Sequence, residues 1–146
     1  LKADDIAGII QSFGYLYARN RYVWAAVSGA NSEVIEALVE QGSRPEVLNE
    51  MTPKDLPLII WGLSKIRAPC KEFIARITER LMDPTVMRGL SATSISVISY
   101  SMASLKIQDP ALMGMLAKQA VRPEVLSQFT SQGISNTAWA FASFGI

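Results

Sequence analysis

Apolar positions recur at helical spacing over most of this chain, and one such segment returns at a fixed interval. Three copies carry a hydroxyl residue, an aliphatic residue, an aromatic residue and two more apolar residues, each copy 39 residues after the one before. The corresponding positions are Thr52, Leu56, Trp61, Leu63 and Ile66; Ser91, Ile95, Tyr100, Met102 and Leu105; and Thr130, Ile134, Trp139, Phe141 and Phe144. A period of roughly 20 to 50 residues is typical of a helical array, in which each unit packs on its neighbours.

The same interval holds outside this segment. Proline recurs at Pro45, Pro84 and Pro123, and the pentapeptide at 44–48 is identical to the one at 122–126. We therefore predict an all-α fold, an α-solenoid of stacked helical hairpins with a period of 39 residues. The predicted units are about 1–51 with an 11-residue insertion, 52–90, 91–129 and a partial unit at 130–146.

Capping residues and prolines set the expected helix bounds. First helices are predicted at 2–17, 52–65, 92–105 and from Thr130 onward, and partner helices at 32–40, 70–81 and from Asp109 onward. We expect Ala68-Pro69 to end the first helix of the second unit. The insertion lies between Leu16 and Val34, and residues 19–30 are either an added helix or a longer second helix. No segment alternates with period two, so strands are not expected.

The two ends of the chain differ from its middle. The last unit has a first helix and no partner helix, so Ile134, Ala138 and Phe141 are expected to be covered on one side only. Because a solenoid needs a polar capping unit, either more chain follows or another protein covers that face. The chain begins at Leu1 without methionine, and we expect a processed or partial product.

The composition argues against several classes of function. The chain has no histidine and one cysteine, Cys70, so the usual acid–base residue and the commonest metal ligand are both missing. We expect Cys70 to be a small buried thiol or an idle one. No phosphate loop, metal cluster or nucleophile motif is present, so no enzyme, cofactor or metal is expected. The longest apolar block, 56–63, is too short to span a membrane.

The last unit resembles a known repeat family. Residues 136–142, Asn-Thr-Ala-Trp-Ala-Phe-Ala, followed by Phe144-Gly145, are similar to the first-helix consensus of octotricopeptide and heptatricopeptide repeats. Residues 58–66 match it more loosely, while Gln11 and Tyr100 depart from its tryptophan. The resemblance implies a noncatalytic α-solenoid that binds RNA in an organelle or belongs to an organellar ribosome, and it favours a mitochondrion over a plastid.

The face of each first helix opposite its partner is a candidate RNA surface. Counted from Leu56, Ile95 or Ile134 as zero, positions two, six and nine are predicted to face outward. They are Leu58, Gly62 and Lys65; Val97, Ser101 and Ser104; and Asn136, Ala140 and Ser143. Small and polar groups at fixed spacing could meet successive nucleotides. Alternatively, these are solvent-exposed positions on helices that pack closely through small residues.

The overall charge is close to neutral, but the second unit is basic. The chain has 14 basic and 13 acidic residues, whereas RNA-binding proteins are usually distinctly basic. Residues 51–90 hold 7 basic and 4 acidic residues. The candidate phosphate ligands are Lys54, Lys65, Arg67, Arg76 and Arg80. Alternatively, these charges pair with acidic neighbours on their own helices.

The repeated aromatic residues also allow two interpretations. Trp61, Tyr100 and Trp139 either stack nucleobases or fill the space between neighbouring units. The residues predicted to pack between units are Leu56, Trp61, Leu63, Ile95, Tyr100, Met102, Ile134, Trp139 and Phe141.

Two main hypotheses follow. The first is a helical-repeat module of organellar RNA metabolism that binds single-stranded or ribosomal RNA directly. The second is a scaffold subunit of a large organellar complex, with protein partners and no RNA contact. An enzyme would need a separate catalytic domain.

Overall fold

The computed structural model describes residues 1–20, 22, 28–67 and 70–146. Within 28–67, side chains are described from residue 32 onward. Within these ranges the chain is all-α, as predicted. The helices are α1 (Ala3–Arg19), α2 (Ser28–Gly42), α3 (Pro45–Leu48), α4 (Asp55–Ile66), α5 (Lys71–Leu81), α6 (Pro84–Arg88), α7 (Ala92–Ser104), α8 (Pro110–Ala120), α9 (Pro123–Leu126) and α10 (Ser131–Ser143).

Side-chain caps explain where several helices begin. Ser91 and Thr130 accept hydrogen bonds from the backbone of α7 and α10, and Asp83 and Asp109 do the same for α6 and α8. Before α4, the backbone N–H and hydroxyl of Thr52 both donate to the Asp55 carboxylate, at 2.8 and 2.7 Å. These bonds satisfy donors that have no partner inside the helix.

One predicted helix start was wrong. Helix α2 begins at Ser28, four residues before Ser32. Ser32 lies inside the helix, and its hydroxyl donates to the Glu36 carboxylate one turn later, at 3.1 Å. Half of the segment 19–30 and the predicted break at Ala68-Pro69 lie outside the described residues.

The helices form two layers. Helices α1, α4, α7 and α10 lie side by side in that order and make up what we term the first-helix layer. Helices α2, α5 and α8 pack on α1, α4 and α7, respectively. The core between the layers consists of fully buried aliphatic and aromatic side chains, including Ile6, Ile10, Leu56, Ile60, Leu63, Phe73, Ile77, Ile95, Ile98, Met102, Leu112 and Leu116.

Glycine permits the closest approach between two helices of the first-helix layer. A Cβ atom on Gly62 would lie 2.5 Å from the Ile10 carbonyl oxygen, and one on Gly14 would lie 2.9 Å from the Gly62 Cα. Helices α1 and α4 therefore cross with their backbones nearly in contact. This approach brings the residues beside Gly14 and Gly62 together at the surface.

The first helices also end alike. Arg67, Lys106 and Gly145 all adopt the left-handed backbone conformation, with φ of 53°, 57° and 72°. At the ends of α7 and α10, the residue after the left-handed position donates its backbone N–H to the carbonyl of Met102 or Phe141, respectively. Both helices are therefore closed in the same way. Two of these three positions hold long basic side chains where glycine is the unstrained choice.

Candidate nucleic-acid interface

Four aromatic side chains line one surface of the first-helix layer. The Tyr15 and Trp61 rings, from α1 and α4, have centroids 4.7 Å apart. The Tyr100 and Trp139 rings, from α7 and α10, have centroids 5.3 Å apart. Tyr15 is 54% exposed and Trp139 is 50% exposed, while Trp61 and Tyr100 are half-buried. We term these four residues the aromatic row.

Lys65 joins the two halves of the aromatic row. Its Nζ atom lies 5.7 Å from the Trp61 ring centroid and 5.4 Å from the Tyr100 ring centroid. Both distances allow a cation–π interaction. A positive charge thus lies among four aromatic rings on a surface formed by four neighbouring helices.

The ring contacts agree with packing between neighbouring helices, and the stacking of nucleobases on these aromatic residues stays a prediction. Trp61 and Tyr100 contact rings on neighbouring helices, as expected for residues that pack between units. Yet the row lies at the surface, so part of each ring remains accessible to a ligand. Tyr15 belongs to the row but was not singled out from the sequence, because the unit that contains it has no tryptophan at the matching position.

Position six of the first helices was predicted to face outward, and this prediction was wrong. Gly62 is buried, and Ser101 and Ala140 have no exposed surface. Small residues occur there because neighbouring first helices approach closely. The Ser101 hydroxyl is buried with no hydrogen-bond partner among the described residues, and it is not available to RNA.

At positions two and nine of the first helices, the side chains are more exposed than at position six, which agrees better with the predicted outward face. Lys65 and Asn136 are half-buried, and Ser104 and Ser143 are exposed. The Ser143 hydroxyl donates to the Trp139 carbonyl on its own helix, at 2.8 Å, and so its hydrogen is already engaged. Ser104 lies next to Lys65 and Tyr100 in the cavity described below.

Arg76 and Arg80 bind backbone carbonyls and carboxylates of the fold and are not grouped with Lys65. Their guanidinium groups donate to the backbone carbonyls of Ser43 and Asn49, at 3.0 and 2.9 Å. They also form ion pairs with Glu72 and Asp83. Both arginines thus connect α5 to the segments that flank α3. The predicted alternative, pairing with acidic neighbours, describes them better.

Lys54 and Arg67 lie at opposite ends of α4. Lys54 is exposed before the first turn and is separated from Lys65 by the length of the helix. Arg67 follows the last turn and lines a cavity of about 670 Å³ beside the aromatic row. Lys65, Lys71 and Lys106 line the same cavity. The structure therefore brings Lys65 and Arg67 together and leaves Lys54 apart.

The predicted packing residues are buried in the middle of the first-helix layer and exposed at its last helix. Leu56, Leu63, Ile95 and Met102 have no exposed surface. Phe141 is half-buried, whereas Ile134, which corresponds to Leu56 and Ile95, is 54% exposed. Helix α10 thus presents an apolar face without a neighbour among the described residues.

Cys70 lines the cavity at the start of α5. Burial raises the pKa of its thiol, and the nearby negative charge of Glu36 raises that pKa further. The thiol is therefore protonated at neutral pH and is a poor nucleophile.

The described residues offer no site for a metal and no helix suited to a bilayer. They contain no group of three or more His, Cys, Asp or Glu side chains that could hold a metal ion. Over the same ranges, every helix is too short or too polar to cross a membrane. Comparison with protein-family models, curated protein sequences and solved structures found no match.

Proposed function

We propose that this chain is a noncatalytic helical-repeat protein that binds single-stranded RNA across its first-helix layer. The observation that supports this function is the aromatic row with Lys65 at its centre. Proteins that bind single strands commonly combine aromatic platforms for bases with positive charge for phosphates, and each stacked base contributes roughly 1–3 kcal/mol. A duplex keeps its bases stacked on one another and would not offer them to such a surface.

The near-neutral total charge is compatible with this proposal because the basic residues beside the row are concentrated. Lys65, Arg67, Lys71 and Lys106 line one cavity, and the described residues that line it include no Asp or Glu. Three of the four acidic residues at 51–90 are engaged elsewhere, since Glu72 and Asp83 pair with arginines and Asp55 accepts from Thr52. The four basic side chains beside the row therefore outnumber the nearby carboxylate of Glu36.

The proposed architecture is an α-solenoid with a period of 39 residues. Three features support it: the matching caps at Ser91 and Thr130, the prolines that open α3, α6 and α9, and the left-handed residues after α4, α7 and α10. In such an array the aromatic row follows the stacking direction, and a strand lying along it would meet one aromatic residue per unit.

The resemblance to octotricopeptide and heptatricopeptide repeats supports an organellar setting. We propose RNA metabolism or an RNA-associated role in an organellar ribosome, in a mitochondrion in preference to a plastid. Near-neutral charge suits a subunit that shares its RNA contacts with other proteins.

A second candidate function is a protein scaffold without direct RNA contact. It is favoured by the apolar surface at α10, where Ile134 is 54% exposed and Ala138, one helical turn later, is also exposed. Exposed large apolar side chains close together often mark an interface. In this function, Trp139 would contact a protein partner instead of a base.

RNA binding is tested by fluorescence anisotropy with a labelled single-stranded RNA over a salt series, with a duplex of the same sequence for comparison. The test variant is Tyr15→Ser/Trp139→Ser, because both rings are about half exposed and their loss should leave the core intact. The matched control is Val121→Ser/Leu126→Ser, which removes two exposed apolar side chains away from the row. We expect single-strand affinity to fall at least about tenfold in the test variant only.

Quenching of tryptophan fluorescence by the RNA would add direct evidence that bases stack. If single strands do not bind, or if the test variant and the control bind equally well, the RNA proposal is wrong and the scaffold function is preferred.

A further inference from the structure

The cavity beside the aromatic row is formed by segments from four parts of the chain. The ends of α1, α4 and α7 and the first turn of α5 contribute its walls. Lys65, Arg67, Lys71 and Lys106 supply four positive charges, and no Asp or Glu of the described residues lines the cavity, although the carboxylate of Glu36 is near enough to the lining residue Cys70 to raise its pKa. Its volume of about 670 Å³ falls within the range typical of small-molecule sites. We term it the cationic cavity.

The four basic side chains of this cavity are free to bind a ligand. Within the described residues, none of them forms a hydrogen bond or an ion pair through its side chain, and Lys65 alone has a cation–π contact. By contrast, Arg76, Arg80 and Arg122 are all paired with carboxylates. Unpaired cations gathered in one cavity favour an anion there, because their mutual repulsion is relieved by a negative ligand.

The charge of the cavity matches a terminal phosphate better than an internal one. A phosphate monoester carries about −1.5 to −2 charges near pH 7 and has three strong acceptor oxygens. A phosphodiester within a strand carries a single charge. Four cations around one group therefore give a larger preference for the monoester.

The remaining walls suit the nucleoside that carries this phosphate. Tyr100 lines the cavity and also belongs to the aromatic row. Lys65 lines the cavity as well, and its ammonium contacts the Tyr100 ring of the row. Leu105, which is half-buried, provides apolar surface. The cavity and the row are thus one continuous surface, on which a strand can begin in the cavity and continue over the rings.

The backbone supports a role for two of the cations. Arg67 and Lys106 have positive φ at the position where the last unit has Gly145. A long basic residue is strained in this conformation relative to glycine, and such residues cluster at functional sites as well as at helix ends. Both residues lie at the rim of the same cavity although 39 positions separate them.

We propose that the cationic cavity binds the phosphorylated terminal nucleotide of a single-stranded RNA, whose following bases stack on the aromatic row. This inference rests on the proposed RNA-binding function and adds to it a preference for one end of the strand.

The test compares four forms of one short RNA: with a 5′-phosphate, a 5′-hydroxyl, a 3′-phosphate and a 3′-hydroxyl. Affinities are measured by competition against a labelled strand. We expect one phosphorylated end to bind at least about tenfold tighter than its matched hydroxyl end. The variant Arg67→Asn/Lys106→Asn should lose this preference, because asparagine tolerates the left-handed backbone and removes both charges.

The control variant Arg88→Gln/Lys118→Gln removes two exposed charges that do not line the cavity. It should keep the preference for the phosphorylated end. Thermal melting of both variants verifies that they are folded.

Cys70 supplies a second, local measurement, since it lines the cavity and is the chain's one cysteine. We expect phosphorylated RNA to slow its reaction with N-ethylmaleimide more than hydroxyl-terminated RNA does. A free nucleoside monophosphate should protect Cys70 only at much higher concentration, since it lacks the bases that stack on the row.

Three results would overturn the inference. If phosphorylated and hydroxyl ends bind equally while Tyr15→Ser/Trp139→Ser still weakens binding, RNA binding stands and the end preference is wrong. If a free monophosphate protects Cys70 as well as RNA does, the cavity is a site for a small nucleotide. If no RNA binds, both proposals fail together.

Discussion

The Lys65 ammonium lies 5.4 Å from the centre of the Tyr100 ring, although the two residues belong to neighbouring helices of the first-helix layer. The same ammonium is 5.7 Å from the Trp61 ring on its own helix. One lysine therefore contributes to the packing of α4 on α7 and places a charge in the middle of the aromatic row. A change at this position should affect RNA binding in a way that depends on charge.

Substitution Lys65→Met should weaken single-strand RNA binding and make it less sensitive to salt. Methionine keeps an apolar side chain near the rings but removes the charge, and loss of one phosphate contact lowers the slope of log K against log salt by about 0.7 for a single strand. Lys65→Arg should retain most of the affinity, because guanidinium also stacks on aromatic rings. Anisotropy titrations at several salt concentrations measure the affinity of each variant and its dependence on salt. An equal loss in Lys118→Met, an exposed lysine away from the row, would contradict the role of Lys65.

Substitution Gly62→Ala should destabilise the fold by about 1–3 kcal/mol, since a Cβ there would meet backbone atoms that cannot move aside. The contact is the Ile10 carbonyl oxygen, 2.5 Å from the added atom. Gly114→Ala is the matched control, because Gly114 lies inside α8 with nothing within 4 Å of the new atom. There alanine should stabilise the helix by about 0.5–1 kcal/mol. Urea unfolding measures both changes, and a stable Gly62→Ala protein would mean that α1 and α4 do not cross here.

Substitution Arg80→Gln should destabilise the fold by about 1 kcal/mol without changing RNA affinity. The Arg80 guanidinium donates to the Asn49 carbonyl at 2.9 Å and is mostly buried, so its loss leaves that carbonyl with a weaker partner. Arg88→Gln, which removes an exposed arginine nearby in sequence, should change neither property. A drop in RNA affinity for Arg80→Gln, measured under conditions where the protein is fully folded, would place this arginine at the RNA surface after all.

Asp83 should give the protein an acid-sensitive contribution to stability. Its carboxylate accepts from the N–H groups of Val86 and Thr85 at the start of α6, and these bonds, with the nearby charge of Arg80, hold its pKa below the usual 3.8. Because the folded-state pKa is lowered, this stabilisation is present above the unfolded-state pKa and is lost as pH falls through the folded-state value. The melting temperature of Asp83→Ala should therefore lie below that of wild type near neutral pH, and the difference should shrink in acid. A constant difference across this range would show that the charge of Asp83 is unimportant.

Much of the helical structure was predictable because its determinants are local. Thr130 caps α10 and Asp109 caps α8 as expected, since a capping side chain and the N–H that it accepts are within three residues of each other. The proline starts of α6 and α9 were also predictable. The start of α2 was not, because Ser32 resembles a cap in sequence while its hydroxyl bonds to Glu36 inside the helix.

The sequence by itself determined the all-α class, most helix bounds and the apolar faces, since these depend on caps and on a periodicity within single helices. Only the tertiary structure decided which faces are covered. An interior first helix contacts a partner helix and two neighbouring first helices, so Gly62 and Ser101 are buried although they lie opposite the partner. The tertiary structure also brought Tyr15 beside Trp61, and Arg67 and Lys106 into one cavity. Helical periodicity shows which residues share a face, but the neighbour that covers that face is set by the packing of residues far apart in the chain.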